Sequence, residues 1–310
     1  MSEDEARKHD ITECPALDTP TENCENRMIS SALFIPPVSL LFCTVTLLLV
    51  PSLANLLWSA EPAELKAPKP PWATTIAQDA TGTRAILTVG DQTQVMRLIP
   101  AGSFEMGSTT GSRDDEMPQH SVEITRPFWL GDSEVTLGLW FAMMGNHTNE
   151  KTDNPRLPIE AISWNACQEF FQRMNARVTG LNAGLPTEAQ WEYACRAGTK
   201  GSHAGDINEM AWHQQNSDGK THPVRLKQMN AWGLYDMHGN VAELCADWYA
   251  PYSPARQCDP PGPPTGTHIV IRGGDCQDVP KLCRSASRGF TYRDYARRGY
   301  GFRIAIPSTP

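Results

Sequence analysis

The sequence lacks the common catalytic motifs and has no excess of basic residues. It contains no G-x-S-x-G hydrolase motif, no P-loop lysine and no H-E-x-x-H zinc motif. Its eight histidines are scattered without the spacing of metal ligands. Lys and Arg number 27 against 35 Asp and Glu, for a formal net charge of −8. The absence of these motifs argues against the familiar hydrolase, nucleotide-binding and zinc-protease sites. The negative net charge argues against a nucleic-acid partner.

Charge is also absent from the whole stretch between Arg27 and Glu61. This uncharged stretch includes residues 32–58, which are long enough to cross a bilayer, because a spanning helix needs about 20 apolar residues. A buried helix of a soluble domain is the alternative, and the length of the uncharged run argues against it. We therefore predict a transmembrane or signal segment at residues 32–58, through which the protein contacts the membrane.

The sequence leaves two interpretations of this segment open, a cleaved signal peptide and a membrane anchor. Ser52 and Ala54 form a small-x-small pair of the kind that a signal peptidase cleaves, and a start at Met28 would make the segment an ordinary signal peptide. Without cleavage the segment is a membrane anchor. In both cases the folded domain is expected to be extracytoplasmic, either membrane-anchored or secreted.

Composition divides the rest of the chain into three regions. Residues 1–31 are acidic and have no apolar periodicity, which predicts a disordered tail. Residues 59–90 begin with a proline-rich sequence and are predicted to form a spacer that leads to a strand near residues 84–89. Residues 91–308 are predicted to form the folded domain.

Long periodic runs are scarce in residues 91–308, whereas turn signals are frequent. This balance predicts an α+β domain with short twisted strands, a few helices and much irregular loop. Residues 95–108 predict two short strands joined as a β-hairpin. Apolar spacing predicts an amphipathic helix over residues 163–177. Thr187 and Gln190 have the spacing of a capping box, which predicts a helix start there.

The stretch at residues 230–248 combines a tight turn with oxygen ligands. Asp236 and Glu243 could supply carboxylates, and Gly239 and Val241 could supply backbone carbonyls, which together suit calcium. Gly239 also tolerates the positive φ angles that such a turn needs. The alternative is that both carboxylates only accept hydrogen bonds from nearby backbone N–H groups.

Three blocks of the chain resemble one enzyme family. The blocks are GLYDMHGNVAE, LPTEAQWEYA and the terminal pattern RGG, RSASR and GFR. They are similar to the formylglycine-generating enzymes, also called sulfatase-modifying factors, over roughly residues 95–306. The resemblance implies a C-type-lectin-like fold. It also implies a structural calcium ion held by the Asp236 and Glu243 side chains and by the Gly239 and Val241 carbonyls.

The chain departs from the family pattern at three positions. Ala242 and Leu244 stand where the family has tryptophans, and Asp275 replaces the usual serine after two glycines. In the catalytic relatives the first of those tryptophans lines the active site, so Ala242 weakens a catalytic interpretation. The arginines between Arg284 and Arg303 are expected to pair with buried carboxylates.

The resemblance also implies a reaction and its catalytic residues. The family oxidises a protein cysteine to formylglycine with oxygen and with copper held by two cysteines four residues apart, and soft thiolates suit Cu(I). The candidates here are Cys276 and Cys283, which have six residues between them. A structural role for Cys283 is favoured over copper binding. Six cysteines in the predicted domain also allow disulfides of unknown pairing: Cys167, Cys195, Cys245, Cys258, Cys276 and Cys283.

Three functional hypotheses follow. The first is a copper oxidase that acts on a sulfatase or another protein substrate. The second is a non-catalytic module on the same scaffold that binds a ligand or a protein. The third is a related iron-dependent sulfoxide synthase, which would need a separate helical domain for which this chain has no room. The first two hypotheses are ranked level, and the third is far behind them.

Overall fold

The computed structural model describes residues 68–109, 113–145 and 154–308. The predicted acidic tail at residues 1–31 and the predicted transmembrane or signal segment at residues 32–58 lie outside these ranges. Within the described ranges, no helix combines the length and the apolar character needed to cross a membrane.

A five-stranded antiparallel sheet opens the fold. Its second strand alternates in burial, with Ala85, Leu87 and Val89 in the core, as a half-buried strand should. The strand order is β1-β2-β3-β6-β12. The strands are β1 (Ala73–Asp79), β2 (Gly82–Val89), β3 (Gln92–Ile99), β6 (Phe128–Gly131) and β12 (Ala305–Pro307).

The start of this sheet differs from the predicted spacer. The sequence predicts a spacer over residues 59–90 that leads to a strand near residues 84–89. Strand β2 confirms that strand, but β1 precedes it and already pairs with it, and β2 pairs with β3. Strand β1 is an edge strand with most of its side chains exposed or half-buried. It therefore lacks the apolar alternation by which a strand is recognised in a sequence.

Two smaller sheets complete the β structure. One has the order β10-β9-β7-β11, with β10 at an edge, and the other has the order β4-β5-β8. The first contains β7 (Ala242–Trp248), β9 (Ile269–Arg272), β10 (Arg288–Thr291) and β11 (Tyr300–Gly301). The second contains β4 (Gly102–Met106), β5 (His120–Ile124) and β8 (Gln257–Cys258).

The predicted hairpin at residues 95–108 is wrong. Both of its strands exist, as β3 and β4, but β3 pairs with β2 and β6 whereas β4 pairs with β5. The turn at Pro100 therefore carries the chain from one sheet to another. Local turn residues indicate where a strand ends, but they do not determine which strand it pairs with.

Four α-helices are present in the described residues. The predicted helix over residues 163–177 is confirmed, with Ser163 as its N-cap. The Thr187 and Gln190 capping box is also confirmed, since each side chain bonds to the backbone of the other residue. The helices are α1 (Leu137–Met144), α2 (Trp164–Arg177), α3 (Glu188–Arg196) and α4 (Ile207–Met210).

The core combines aromatic packing with buried ion pairs. Trp140 stacks on Phe170 with ring centroids 5.4 Å apart, and Phe302 packs edge-on against Phe170 at 5.2 Å. The expected pairing of the arginines between Arg284 and Arg303 with buried carboxylates is confirmed by three pairs: Arg284 with Glu116, Arg288 with Glu188, and Arg303 with Glu243. Arg272 pairs with Glu192 in the same way. Mixed sheets, few helices and extensive loops confirm the predicted α+β class.

Candidate functional site

The turn that leads into β7 is held in an unusual backbone conformation. Asp236, Gly239 and Asn240 have φ angles of 55°, 75° and 61°. The Asn240 side chain spans the turn, because its Oδ1 accepts from the His222 N–H at 2.9 Å and its Nδ2 donates to Glu134 Oε1 at 3.1 Å. Glu134 precedes α1, so this one amide joins distant parts of the chain to the turn.

The two predicted carboxylate ligands have different surroundings. Asp236 is buried, with Oδ2 accepting from the Arg225 N–H at 2.8 Å and Oδ1 without a partner. Glu243 has both oxygens engaged: Oε2 accepts from Trp191 Nε1 at 2.7 Å, and the Arg303 guanidinium donates to both oxygens. A bidentate arginine pair of this kind is strong and directional.

The set of four predicted calcium ligands therefore fits only in part. Asp236 has a free, buried oxygen of the kind a hard cation would take, whereas the Glu243 carboxylate already neutralises Arg303. No group of three or more His, Cys, Asp or Glu residues that could hold a metal ion occurs within the described ranges. The contribution of Gly239 and Val241 carbonyls stays a prediction.

Sequence analysis did not identify Glu134, Trp191 or Arg303 as parts of this site. Trp191 lies in the LPTEAQWEYA block and Arg303 in the GFR block. Those blocks marked the two residues as family-like, but only the fold brings them to the turn. Arg303 follows Glu243 by 60 residues, a separation over which spacing carries no geometric information.

The two candidate catalytic cysteines lie close enough to influence each other electrostatically, and Asp275 and Asp278 lie near both thiols. Cys276 lines a cavity of about 310 Å³ together with Glu160 and Arg298. Cys283 is fully buried at the end of a 3-10 turn, where its Sγ lies 3.8 Å from the Val279 carbonyl oxygen. The cavity that contains Cys276 is not lined by Cys283.

Burial also suppresses ionisation of both thiols. It raises the pKa of Cys276 to about 12, and nearby Asp275 and Glu160 add to the effect. Burial, followed by the charges of Asp278 and Asp275, raises the pKa of Cys283 well above its ordinary value. Both groups are therefore neutral thiols at pH 7, whereas nucleophilic attack requires the thiolate.

Five of the six domain cysteines do not form the disulfides that the sequence allows. Each of the five is a buried free thiol, and they are Cys167, Cys195, Cys245, Cys276 and Cys283. They lie in different elements, with Cys167 in α2 and Cys195 in α3.

These thiol environments predict low chemical reactivity. Iodoacetamide at pH 8 is expected to leave Cys276 and Cys283 largely unmodified in the folded protein, because only the thiolate reacts and both side chains are buried. In concentrated urea both should be alkylated. Peptide mapping by mass spectrometry measures the two states, and rapid native labelling of either cysteine would contradict the prediction.

One of the departures from the family pattern lines a small cavity. Ala242, where the family has tryptophan, lines a space of about 190 Å³ with Arg297 and Tyr300. Asp275, which stands where the family has serine, has polar partners of its own. Its Oδ1 accepts from the Gln277 N–H at 2.8 Å, and its Oδ2 lies 3.1 Å from Arg297 in an ion pair. The loop at residue 275 is thus held by its own polar contacts.

An aromatic surface, with two half-buried and two exposed rings, lies on and around β10. It consists of Tyr249, His268, Phe290 and Tyr292. Successive ring centroids are close, at 4.9 Å for Tyr249 and Phe290, 4.8 Å for Phe290 and His268, and 4.5 Å for His268 and Tyr292. Phe290 is 49% exposed and Tyr292 is 57% exposed. Contiguous exposed aromatics of this kind are typical of binding surfaces.

Comparison with known proteins places this geometry in a family. The chain is 28% identical over 284 residues to a formylglycine-generating enzyme of Streptomyces coelicolor, with 67% of this chain and 87% of that protein covered. It is 33% identical over 204 residues to the formylglycine-generating enzyme of Thermomonospora curvata, covering 58% and 64% of the two chains.

A differently named relative shares the same region. The serine/threonine-protein kinase Pkn1 of Chlamydia trachomatis is 30% identical over 241 residues, which cover 68% of this chain and 38% of the kinase. The solved structure of Treponema denticola variable protein 1 superposes with a TM-score of 0.65 at 27% identity, covering 73% of this chain and 99% of that one. The expected C-type-lectin-like fold is thereby confirmed.

The family model described as "Sulfatase-modifying factor enzyme 1-like domain" matches residues 87–307. This range includes the turn at Asp236, both candidate cysteines and the aromatic surface. It also closely matches the range over which the sequence blocks resemble the family. The chain belongs to the sulfatase-modifying factor family.

Proposed function

We propose that the chain is a non-catalytic binding module built on the sulfatase-modifying factor scaffold. The observation that carries this proposal is the state of the two thiols. Cys283 is fully buried, and Cys276 lines a cavity that Cys283 does not line. A Cu(I) site needs two thiolates that converge on one accessible point.

Ala242 supports the same proposal, because it concerns the surface that a peptide substrate would contact. In the family a tryptophan at this position lines the active site, and here an alanine leaves a cavity of about 190 Å³. A reacting peptide would lose the aromatic surface that orients it. The scaffold, in contrast, keeps buried arginine–carboxylate pairs, which include Arg272 with Glu192, Arg288 with Glu188 and Arg303 with Glu243.

A peptide assay tests the absence of oxidase activity. A synthetic peptide with a sulfatase modification motif is incubated with the full-length chain, Cu(I) and oxygen, and the products are analysed by mass spectrometry. We expect no formylglycine, while the Streptomyces coelicolor enzyme converts the same peptide. Conversion that disappears in the Cys283→Ser variant would instead establish the copper oxidase, which is the second candidate function.

The aromatic surface of Tyr249, His268, Phe290 and Tyr292 is the proposed contact region for a protein partner. Aromatic residues dominate the energy of protein interfaces because they bury large areas at a small entropic cost. The edge strand β10 adds unpaired backbone groups beside these rings, and edge strands readily accept an additional strand. Both features favour an extended protein segment as the partner.

Site-specific photo-crosslinking tests this surface. A photoreactive phenylalanine analogue at Tyr292 is expected to form one dominant adduct in intact cells, and the Phe290→Ala substitution should reduce its yield at least tenfold. The matched control places the same analogue at Leu226, which is 52% exposed on another part of the domain. Equal adducts from both positions, or an adduct unaffected by Phe290→Ala, would contradict the assignment.

The proposed location of this module is outside the cytoplasm. The support is the uncharged segment at residues 32–58, which precedes the folded domain and is long enough to span a bilayer. Digestion of intact cells with an added protease tests the location. The folded domain should be cleaved or released, and its complete protection would contradict the proposal.

A further inference from the structure

A cavity of about 660 Å³ lies beside α1 and the start of α2. Most of its lining is apolar, and the lining residues include Trp140, Phe141, Met144, Ile159 and Ala166. Small-molecule sites usually have volumes of about 300–1,000 Å³ and an apolar lining with a few polar groups that orient the ligand. The cavity therefore has the size and the lining of a ligand site, and it shares no lining residue with the aromatic surface.

Glu160 and Arg298 are the charged residues that line this cavity. Both also line the neighbouring cavity that contains Cys276, so they lie where the two cavities meet. The backbone holds them near each other, because Glu160 Oε2 accepts at 2.7 Å from the N–H of Gly299, the residue that follows Arg298. A carboxylate and a guanidinium therefore lie at one edge of an apolar space.

These two charges are not neutralised by other residues in the part of the chain that the structure describes. Arg298 is exposed and has no hydrogen-bond or ion-pair partner there. The Glu160 carboxylate accepts from uncharged donors, the Gly299 N–H at 2.7 Å and the Thr221 hydroxyl at 3.4 Å. The two side chains also do not pair with each other, although Glu160 bonds to the amide next to Arg298. Both charges are thus available to a ligand.

An apolar α-amino acid matches this arrangement. Its ammonium and carboxylate groups are attached to the same carbon atom, so they reach two neighbouring groups of opposite charge while the side chain enters the apolar space. A guanidinium binds a carboxylate through paired N–H donors, and a carboxylate accepts from an ammonium group. Trp140 and Phe141 favour a large or aromatic side chain. A fatty acid would leave Glu160 unmatched, and a simple amine would leave Arg298 unmatched.

We propose that this cavity binds a free α-amino acid with a large apolar side chain, with Arg298 binding its carboxylate and Glu160 binding its ammonium group. The site does not depend on the proposed protein partner, because its residues lie apart from the aromatic surface. The module would therefore carry a small-molecule site in addition to its protein-binding surface.

Calorimetric titration of the full-length chain tests the proposal. The probes are L-leucine, L-phenylalanine and L-tryptophan, and the wild-type chain should bind at least one of them. Glycine, which has both charged groups but no apolar side chain, should bind about tenfold or more weakly, because it leaves the apolar lining without a partner. Absence of binding by all three apolar amino acids, or equal binding of glycine, would overturn the proposal.

Derivatives of the amino acid that binds best show which charge each residue recognises. The N-acetyl derivative lacks the ammonium group and the amide lacks the carboxylate, so the wild-type chain should bind each about tenfold or more weakly. Arg298→Gln should weaken binding of the free amino acid to a similar extent but leave the affinity for the amide within about twofold, since that ligand has no carboxylate to lose.

Glu160→Gln should show the converse pattern. It keeps an oxygen that can accept from the Gly299 N–H, so the cavity edge should stay in place. The variant should bind the free amino acid more weakly and bind the N-acetyl derivative as the wild type does. A uniform loss for all ligands in either variant would indicate general damage to the cavity and would reject the assigned contacts.

The matched control is Arg126→Gln. Arg126 is also exposed, but it does not line this cavity, so its substitution removes the same charge elsewhere and should leave every affinity unchanged. The ligand should also raise the melting temperature of the wild-type chain, as expected for binding to the folded state. Equal losses of binding in Arg126→Gln and Arg298→Gln would show that net charge governs the interaction, which would overturn the proposal.

Discussion

The Arg303→Met substitution is expected to lower the free energy of unfolding by about 3–5 kcal/mol, because it leaves a buried carboxylate without its counter-charge. Arg303 is fully buried, forms a bidentate pair with Glu243, and donates to the Gly131 carbonyl oxygen at 3.0 Å. It therefore joins β6, β7 and the segment before β12. Urea unfolding followed by tryptophan fluorescence measures the change.

The control for this experiment is an exposed ion pair. Arg173 and Glu169 pair across one turn of α2, with side chains 46% and 51% exposed. Pairs of this kind contribute only about 0.3–0.5 kcal/mol, so Arg173→Met should leave the unfolding curve nearly unchanged. A loss for Arg303→Met as small as that for Arg173→Met would show that the buried pair contributes little to stability.

The Gly239→Ala substitution is expected to destabilise the domain by about 3 kcal/mol or more, which places it among the severe single substitutions. An added Cβ would lie 2.1 Å from the Trp212 carbonyl oxygen, a backbone atom that cannot rotate away. The same oxygen accepts from the Asn240 N–H at 2.8 Å. Relief of the clash would therefore displace Asn240, whose side-chain amide donates to Glu134 Oε1. Thermal unfolding measures the effect.

Gly198 provides a matched control for Gly239. Its φ angle of 86° is similar, but no atom lies within 4 Å of an added Cβ. Gly198→Ala should therefore cost only the backbone strain, about 1 kcal/mol. If both variants lose the same stability, then the close approach of Trp212 is not the cause.

Local features of the fold could be predicted because they depend on neighbouring residues. The Thr187 and Gln190 box, the helix after Ser163 and the family blocks each involve residues a few positions apart. Strand pairing could not be predicted in this way. Strand β3 and strand β4 follow each other in the chain but belong to different sheets, and edge strand β1 has no clear apolar alternation.

The contacts of the candidate site could not be predicted from the sequence either, because they join residues that are far apart in the chain. Sequence blocks indicated Asp236 and Glu243 as equivalent oxygen ligands. In the fold, Arg303 and Trp191 occupy the Glu243 carboxylate, whereas Asp236 keeps one free oxygen. The two carboxylates differ because Trp191 and Arg303, which are 52 and 60 positions away from Glu243 in the sequence, bind the Glu243 oxygens. Glu134 was passed over for the same reason, since it reaches the turn only through the tertiary fold.

The separation of Arg303 from its partner also has a consequence for biosynthesis. Glu243 emerges from the ribosome 60 residues before Arg303, which corresponds to several seconds at ordinary elongation rates of about 5–20 residues per second. During that interval the Glu243 carboxylate must remain hydrated, and β7 cannot reach its final packing. The nascent chain therefore passes through a stage at which its future core is open to water and to chaperones.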